Sequence, residues 1–261
     1  GGLGVKFMSE QHPDAFSWKN CLSETGGSHL PDAVGFNVGE KGAGQRRIHV
    51  HGDAGHGSTP YGKDFAILKI GEVARRIAAA EPPVASNEIW EGFVKTFKFD
   101  PETEAALIAG TGDYSKFGDL AAYAHAFSHT TIAETVLRAG GAINVLPSHA
   151  YLEMDIRPFP GQTQDELDDF LREALGDLAD EVEIEHLITE DATQSSTDTK
   201  LWHAIEATSK EFFPDKDVVP VHATGGSDLR FARRMGGNAY GFAMHAEARD
   251  MASANSQLHS H

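Results

Sequence analysis

Ala150-Tyr151-Leu152-Glu153-Met154-Asp155-Ile156-Arg157 alternates without a break. Leu152, Met154 and Ile156 fall on one side and Tyr151, Glu153 and Asp155 on the other. That is the period of a strand with one buried and one wet face. Downstream, 163–175 opens on Thr163 with Glu166 three places later, a capping-box start for a helix, and 182–187 reads as a further strand. Upstream, 129–138 is a strand closed by the Gly140-Gly141 turn. Arg46-Arg47-Ile48-His49-Val50-His51-Gly52 alternates in the same way. A small-residue loop over 53–60 leads to a helix over 65–80, with Ile67, Leu68, Val73 and Ile77 at helical spacing, ended by Pro82-Pro83. The order strand, helix, strand, strand, helix, strand predicts a split βαβ unit, a four-stranded sheet with both helices on one face.

Residues 84–127 fit that unit poorly and read as an insertion, with a Phe patch (Phe93, Phe97, Phe99) and a helix over 101–109. Outside the unit, 4–11 reads as the end of a helix and 18–23 as a short strand. That strand ends in Ser23-Glu24-Thr25-Gly26-Gly27. A polar stretch to Asp198 precedes a helix over 201–213, a strand over 218–223, the turn Gly225-Gly226-Ser227-Asp228 opening another helix, and a strand over 237–244. The expectation is therefore α/β: a catalytic-type layer from 1–45 and 191–261, with an α+β domain over 46–190 inserted into it.

The chain has 261 residues, enough for one large or two modest cores. Lys+Arg 22 against Asp+Glu 39 gives a formal charge of −17, which repels phosphate backbones and excludes a typical nucleic-acid partner. No apolar run approaches the roughly 20 residues of a membrane span. The one cysteine, Cys21, cannot form an internal disulfide, which permits a reducing compartment and favours the cytoplasm.

Glu24 after a strand, His56 between Gly55 and Gly57, and His259 near the end are separate weak signals on their own. Together they are not. Leu22-Ser23-Glu24-Thr25-Gly26-Gly27, Gly39-Glu40-Lys41-Gly42, Gly52-Asp53-Ala54-Gly55-His56-Gly57-Ser58-Thr59-Pro60, Asn144-Val145-Leu146-Pro147, Asp155-Ile156-Arg157 and Gly225-Gly226-Ser227-Asp228 occur in that order. This series resembles the M20 metallopeptidases, which include carboxypeptidases, dipeptidases and N-acyl-amino-acid deacylases. The inserted four-stranded unit resembles that family's lid, or dimerisation, domain.

The resemblance implies a zinc-peptidase-type catalytic domain and a two-metal hydrolase of peptide or N-acyl amide bonds next to a free carboxylate. Two zinc ions per complete site, with cobalt or manganese as alternatives, would activate water and polarise the carbonyl. By that likeness Glu24 and His259 are metal ligands, and His56 is the oxyanion donor delivered by the lid of a partner subunit. Asn144 and Arg157 resemble lid residues that grip the substrate carboxylate, and Gly225, Gly226, Ser227 and Asp228 line the substrate pocket. A homodimer through the lid follows from the same likeness and from the exposed edge of its sheet.

Plainer readings stand beside these. Arg157 can pair with Asp155 or Glu153, Asn144 can hold a turn, Asp228 can cap the next helix, and His261 competes with His259. The family's early His-x-Asp segment is matched only by the misplaced lookalikes His12-Pro13-Asp14, His51-Gly52-Asp53 and His245-Ala246-Glu247, and no Glu-Glu pair occurs. The expectation is a chain truncated at both ends and inactive alone. The alternative is a non-catalytic dimerisation or ligand-binding homologue. A serine hydrolase is disfavoured, since no Gly-x-Ser-x-Gly elbow occurs. The 84–127 segment points toward the carboxypeptidase-S-like or acyl-amino-acid branch, its Phe cluster shaping an apolar acyl pocket.

Overall fold

The computed structural model describes residues 4–85, 87–246 and 250–252. In chain order the elements are α1 (Val5–Gln11), β1 (Asn20–Ser23), β2 (Gly26–His29), β3 (Ala33–Glu40), β4 (Ala43–His51), β5 (Gly55–His56), α2 (Ala66–Ala79), α3 (Glu88–Lys95), α4 (Pro101–Ile108) and α5 (Ala121–Ser128). There follow β6 (Thr131–Ala139), β7 (Val145–Leu146), β8 (His149–Arg157), α6 (Gln164–Leu175), β9 (Val182–Glu190), β10 (Thr193–Gln194), α7 (Lys200–Phe212), β11 (Asp217–Ala223), α8 (Leu229–Arg234) and β12 (Asn238–Gly241). They form two compact units, one of 1–41, 84–129 and 192–261, the other of 42–83 and 130–191.

The second unit is the split βαβ domain. Its sheet has the order β6-β8-β4-β9, and every pair is antiparallel. Ile48 and Val50 of β4 and Ala150, Leu152, Met154 and Ile156 of β8 point to one face. There they pack against Ile70, Val73 and Ile77 of α2 and Leu167, Leu171 and Leu175 of α6. The alternation of β8 thus meets two helical stripes of matching spacing, and one core results. Thr163 and Glu166 close the capping box of α6, satisfying two backbone donors at its start. Arg46 points into the same core, where its Nε donates to Asp168 Oδ1 at 2.8 Å.

The first unit is built around β3, whose eight residues are buried except Asn37. Such a run suits a strand covered on both faces. Sequence reading passes over β3 because Gly35, Asn37 and Gly39 interrupt its apolar residues and have low strand propensity. Parallel β11 lies along its whole length, and β2, β12 and β10 pair with it in succession. Gly39 is needed there, since a Cβ at this position would come within 2.8 Å of the His222 ring.

The 84–127 segment corrects the domain boundaries. It interrupts the βαβ domain in sequence but is not part of it in space: residues 84–129 belong to the first unit. Trp90, Phe93, Phe117 and Phe127 are buried in one cluster with Val34, Phe36, Val38, Val219 and Val221. The Trp90 indole donates to the Leu107 carbonyl at 3.0 Å, and the Phe93 and Phe127 centroids stand 5.1 Å apart, edge to face. Of the Phe patch, Phe93 is core, while Phe97 and Phe99 pack partly buried against the same cluster. The physical reason is that the aromatic stripe of a short helix needs an apolar partner, which the β3–β11 layer supplies.

Candidate active site

In the βαβ unit, β5 and β7 form a two-residue antiparallel ribbon that pairs Gly55 with Leu146 and His56 with Val145. The Gly57 N–H extends it by donating to the Asn144 carbonyl at 2.8 Å. Two loops nearly ninety residues apart in sequence are thereby fused, and His56 and Asn144 meet at one end of the domain, both exposed.

The His56 ring is held from one side. Its Nδ1 accepts the Ser58 backbone N–H at 3.2 Å and lies 2.8 Å from the Ser58 hydroxyl. A nitrogen that accepts a backbone N–H carries no proton, so in the neutral ring the hydrogen sits on Nε2. His56 therefore presents an N–H outward, the correct polarity for an oxyanion donor.

Arg157 lies elsewhere. It ends β8, whose start at His149 adjoins the ribbon, so the strand separates it from His56 and Asn144 by about 26 Å at roughly 3.3 Å per residue. Its Nε donates to Asp155 Oδ2 at 3.1 Å, while Glu153 is taken by Arg47 at 2.6 Å. Of its two sequence-level partners, Asp155 is the one engaged. Asn144 and Arg157 of one protomer cannot hold the same carboxylate.

In the first unit, Glu24 stands exposed just past β1. Its own backbone N–H and the Ser23 hydroxyl, 3.0 Å away, hold its carboxyl below the usual range. The turn at 225–228 leads into α8. Asp228 takes the N-cap position without a side-chain cap, and the Ser227 hydroxyl instead accepts from Leu229 N–H at 3.2 Å. The Arg230 guanidinium lies over Gly226, its Nη2 1.4 Å from where a Cβ would stand, so a side chain there would displace that guanidinium. His259 and its rival His261 lie outside the described residues.

Sequence reasoning missed two residues of the Gly39-Glu40-Lys41-Gly42 stretch. Glu40 is 2% exposed, and its carboxylate accepts the backbone N–H of Ser227 at 2.9 Å and is paired with Arg230 at 2.9 Å. Lys41 is equally buried and donates to the carbonyls of Ala126 and His129 at 3.0 and 2.8 Å. The signal was the pair of adjacent charges at the end of an apolar run, since charges are buried only when partnered. Nearby, burial and the Arg233 charge push His222 down to about 4. Its Nε2 donates to Gln194 Oε1 at 2.8 Å, as a neutral ring can. Among the described residues no three His, Cys, Asp or Glu side chains gather into a metal-binding group.

Residues 38–183, more than half of the chain, match the M20 peptidase dimerisation domain. The chain belongs to the M20 family. This M20 chain is 30% identical over 119 residues to a probable carboxypeptidase S-like 2 of Dictyostelium discoideum, covering 45% of the chain and 22% of the relative. It is 24% identical over 219 residues to the human N-fatty-acyl-amino acid synthase/hydrolase PM20D1, covering 78% and 42%. It therefore spans less than half the length of either. In fold it is similar to the M20 metallo-carboxypeptidase Sso-CP2 of Sulfolobus solfataricus, with a TM-score of 0.62 at 15% identity, covering 91% of this chain and 58% of that one. The dipeptidase Dug1p of Saccharomyces cerevisiae gives 0.58 at 12% identity, covering 92% and 55%. No helix among the described residues is long and apolar enough to cross a membrane.

Proposed function

We propose that this M20 chain serves a metal-dependent hydrolase that cleaves the peptide or N-acyl amide bond beside a free amino-acid carboxylate. The observation that carries this reading is the His56 ring, exposed on the ribbon with its Nε2–H outward beside Asn144. In this role His56 donates to the carbonyl oxygen as negative charge develops on it, and Asn144 offers an amide to the substrate beside it. The turn at 225–228 lines the pocket. The similarity to carboxypeptidase-like and N-fatty-acyl-amino-acid relatives supports the substrate class.

Because Arg157 stands at the far end of β8 from Asn144, the two would serve different copies of the site. That separation supports a homodimer paired through the βαβ unit, in which the partner subunit's lid delivers the oxyanion donor. Zinc is the proposed metal, with cobalt or manganese as alternatives and Glu24 and His259 as ligands. When bound it would supply an activated water and an electrophile for the carbonyl. The described residues of this chain do not assemble that centre, since only Glu24 of the two ligands is among them and no three His, Cys, Asp or Glu side chains of the described residues gather into a metal-binding group. No Glu-Glu pair for a general base occurs in the 261 residues, so this chain assayed by itself with zinc is expected to show no turnover.

The test is hydrolysis by the full-length gene product, with and without a chelator, of N-acyl amino acids, dipeptides and the same compounds with the carboxylate amidated. Turnover of the free acids, lost on chelation and on amidation, is the expected result. No turnover of any of them with any of the three metals overturns the reading in favour of a non-catalytic dimerisation module.

A further inference from the structure

The turn at 225–228 begins with two glycines and has no regular structure of its own, yet its Ser227 is tied down at both backbone and side chain. Glu40, at the end of β3, does this. Its Oε2 accepts the Ser227 N–H at 2.9 Å and also the Ser227 hydroxyl. Its Oε1 lies 2.9 Å from Arg230 Nε, whose hydrogen is spent on the Ser227 carbonyl at 2.9 Å. Arg233 Nη1 stands 3.5 Å from Oε2 and donates to the Thr193 hydroxyl at 3.2 Å, while its Nη2 holds the Ala239 carbonyl at 2.8 Å. Burial lowers the Arg233 pKa and the neighbouring Glu40 charge opposes that fall. One buried carboxylate thus fixes the donor, the hydroxyl and the cation that shape a glycine turn. Oε1 itself has no hydrogen-bond donor among the described residues.

We propose that Glu40 is a positioning residue for the substrate pocket: it sets the 225–228 turn and the guanidinium of Arg230, and so controls affinity for the substrate without touching it. The proposal rests on the hydrolase reading for its kinetic consequence only. Structurally, the end of a strand buried on both faces is among the most rigid points of the unit. Hydrogen bonds to a charged acceptor are stronger than neutral ones, so the strand imposes its order on the turn. Arg230 lies over Gly226 beside the same carboxylate, so a Cβ at that position would push the guanidinium away from Glu40.

Two measurements on Glu40→Gln and Glu40→Asp test this. Amide hydrogen exchange of the full-length protein should show Ser227 exchanging at least about tenfold faster in Glu40→Gln, with β3 and β11 unchanged. Steady-state kinetics should show KM raised about tenfold with kcat changed much less, and partial recovery in Glu40→Asp, which keeps the charge. If Glu40→Gln loosens β3 as well, Ser227→Ala replaces it, and faster exchange confined to 225–228 is then expected. Unchanged protection of the turn in these variants overturns the proposal, as does a fall in kcat with KM unmoved. If the wild-type protein hydrolyses nothing, the hydrolase reading fails, and the exchange measurement alone decides the role of Glu40.

Discussion

Asn144 receives the backbone N–H of Gly57 on its carbonyl at 2.8 Å, and this bond helps hold the histidine loop to the loop that precedes β8. The ribbon it extends has only two residue pairs, so every ladder bond matters. Disrupting the ribbon should therefore disturb His56 and leave the sheet intact. Val145→Pro acts through the loop that carries Asn144: it removes the Val145 N–H, which donates to the Ala142 carbonyl at 3.2 Å, and fixes the backbone torsion of a ribbon residue. The expected outcome is at least about a hundredfold loss of kcat in the complete enzyme, the scale of one oxyanion donor, with thermal stability nearly unchanged.

Ser58 should matter through the ring it touches. Ser58→Ala removes the hydroxyl at Nδ1 and keeps the backbone N–H, so the tautomer survives with a looser ring. Loss of about three- to tenfold in kcat with KM retained is expected. Nitrogen-15 chemical shifts of the imidazole check the tautomer directly, since a protonated Nδ1 near neutral pH would contradict the assignment.

The Arg46–Asp168 pair is asymmetric in its consequences. Arg46 has no exposed side-chain surface and also donates to Gln164 Oε1 at 3.0 Å, whereas Asp168 is partly open and held by His186 at 2.7 Å. Asp168→Ala leaves a guanidinium buried with its charge unmatched, and a loss of about 3–5 kcal/mol in denaturant unfolding is expected. Arg46→Met, which takes the charge out of the core, should lose less.

His222 gives the fold a pH dependence of known sign. Its folded pKa is pushed down to about 4 from an ordinary 6.5, so between these values the unfolded chain binds more protons than the folded one. The native state is fully favoured above pH 6.5 and loses stability as pH falls toward 4, at most ~1.4 kcal/mol per unit from this residue. Denaturation at pH 7.5 and 4.5 should show a smaller acid loss in His222→Gln than in wild type.

The aromatic cluster predicts the cost of a void. Phe93 is fully buried among Trp90, Phe117 and Phe127, so Phe93→Ala should lose about 3–5 kcal/mol. The same change would alter substrate preference if these rings lined a pocket. Folded variant enzyme with unchanged acyl preference is expected.

Much was legible in the chain. Tyr151 to Arg157 alternates because its strand has one dry face, and Thr163 with Glu166 starts a helix because two side chains can satisfy two backbone donors. Both are local effects of period and capping, and the split βαβ domain follows from their order. Its match to a known domain family spans residues 38–183, which include both stretches. Glu24, His56, Asn144, Arg157 and 225–228 were all visible as motif residues.

What lay beyond local pattern was decided by packing at long range. Strand β3 could not be read from Gly35 and Gly39, because what makes it a strand is β11, some 180 residues later, closing over the space those glycines leave. The 84–129 helices could not be assigned to a unit, because an aromatic stripe is equally apolar whichever core it joins. Glu40 looks in the sequence like any charged strand end, and only the tertiary structure brings Ser227, Arg230 and Arg233 to it. The sequence by itself determined the periods, the caps and the family. The tertiary structure decided which buried charges are partnered and which motif residues stand together, since electrostatic pairing and close packing depend on distance in space and not along the chain.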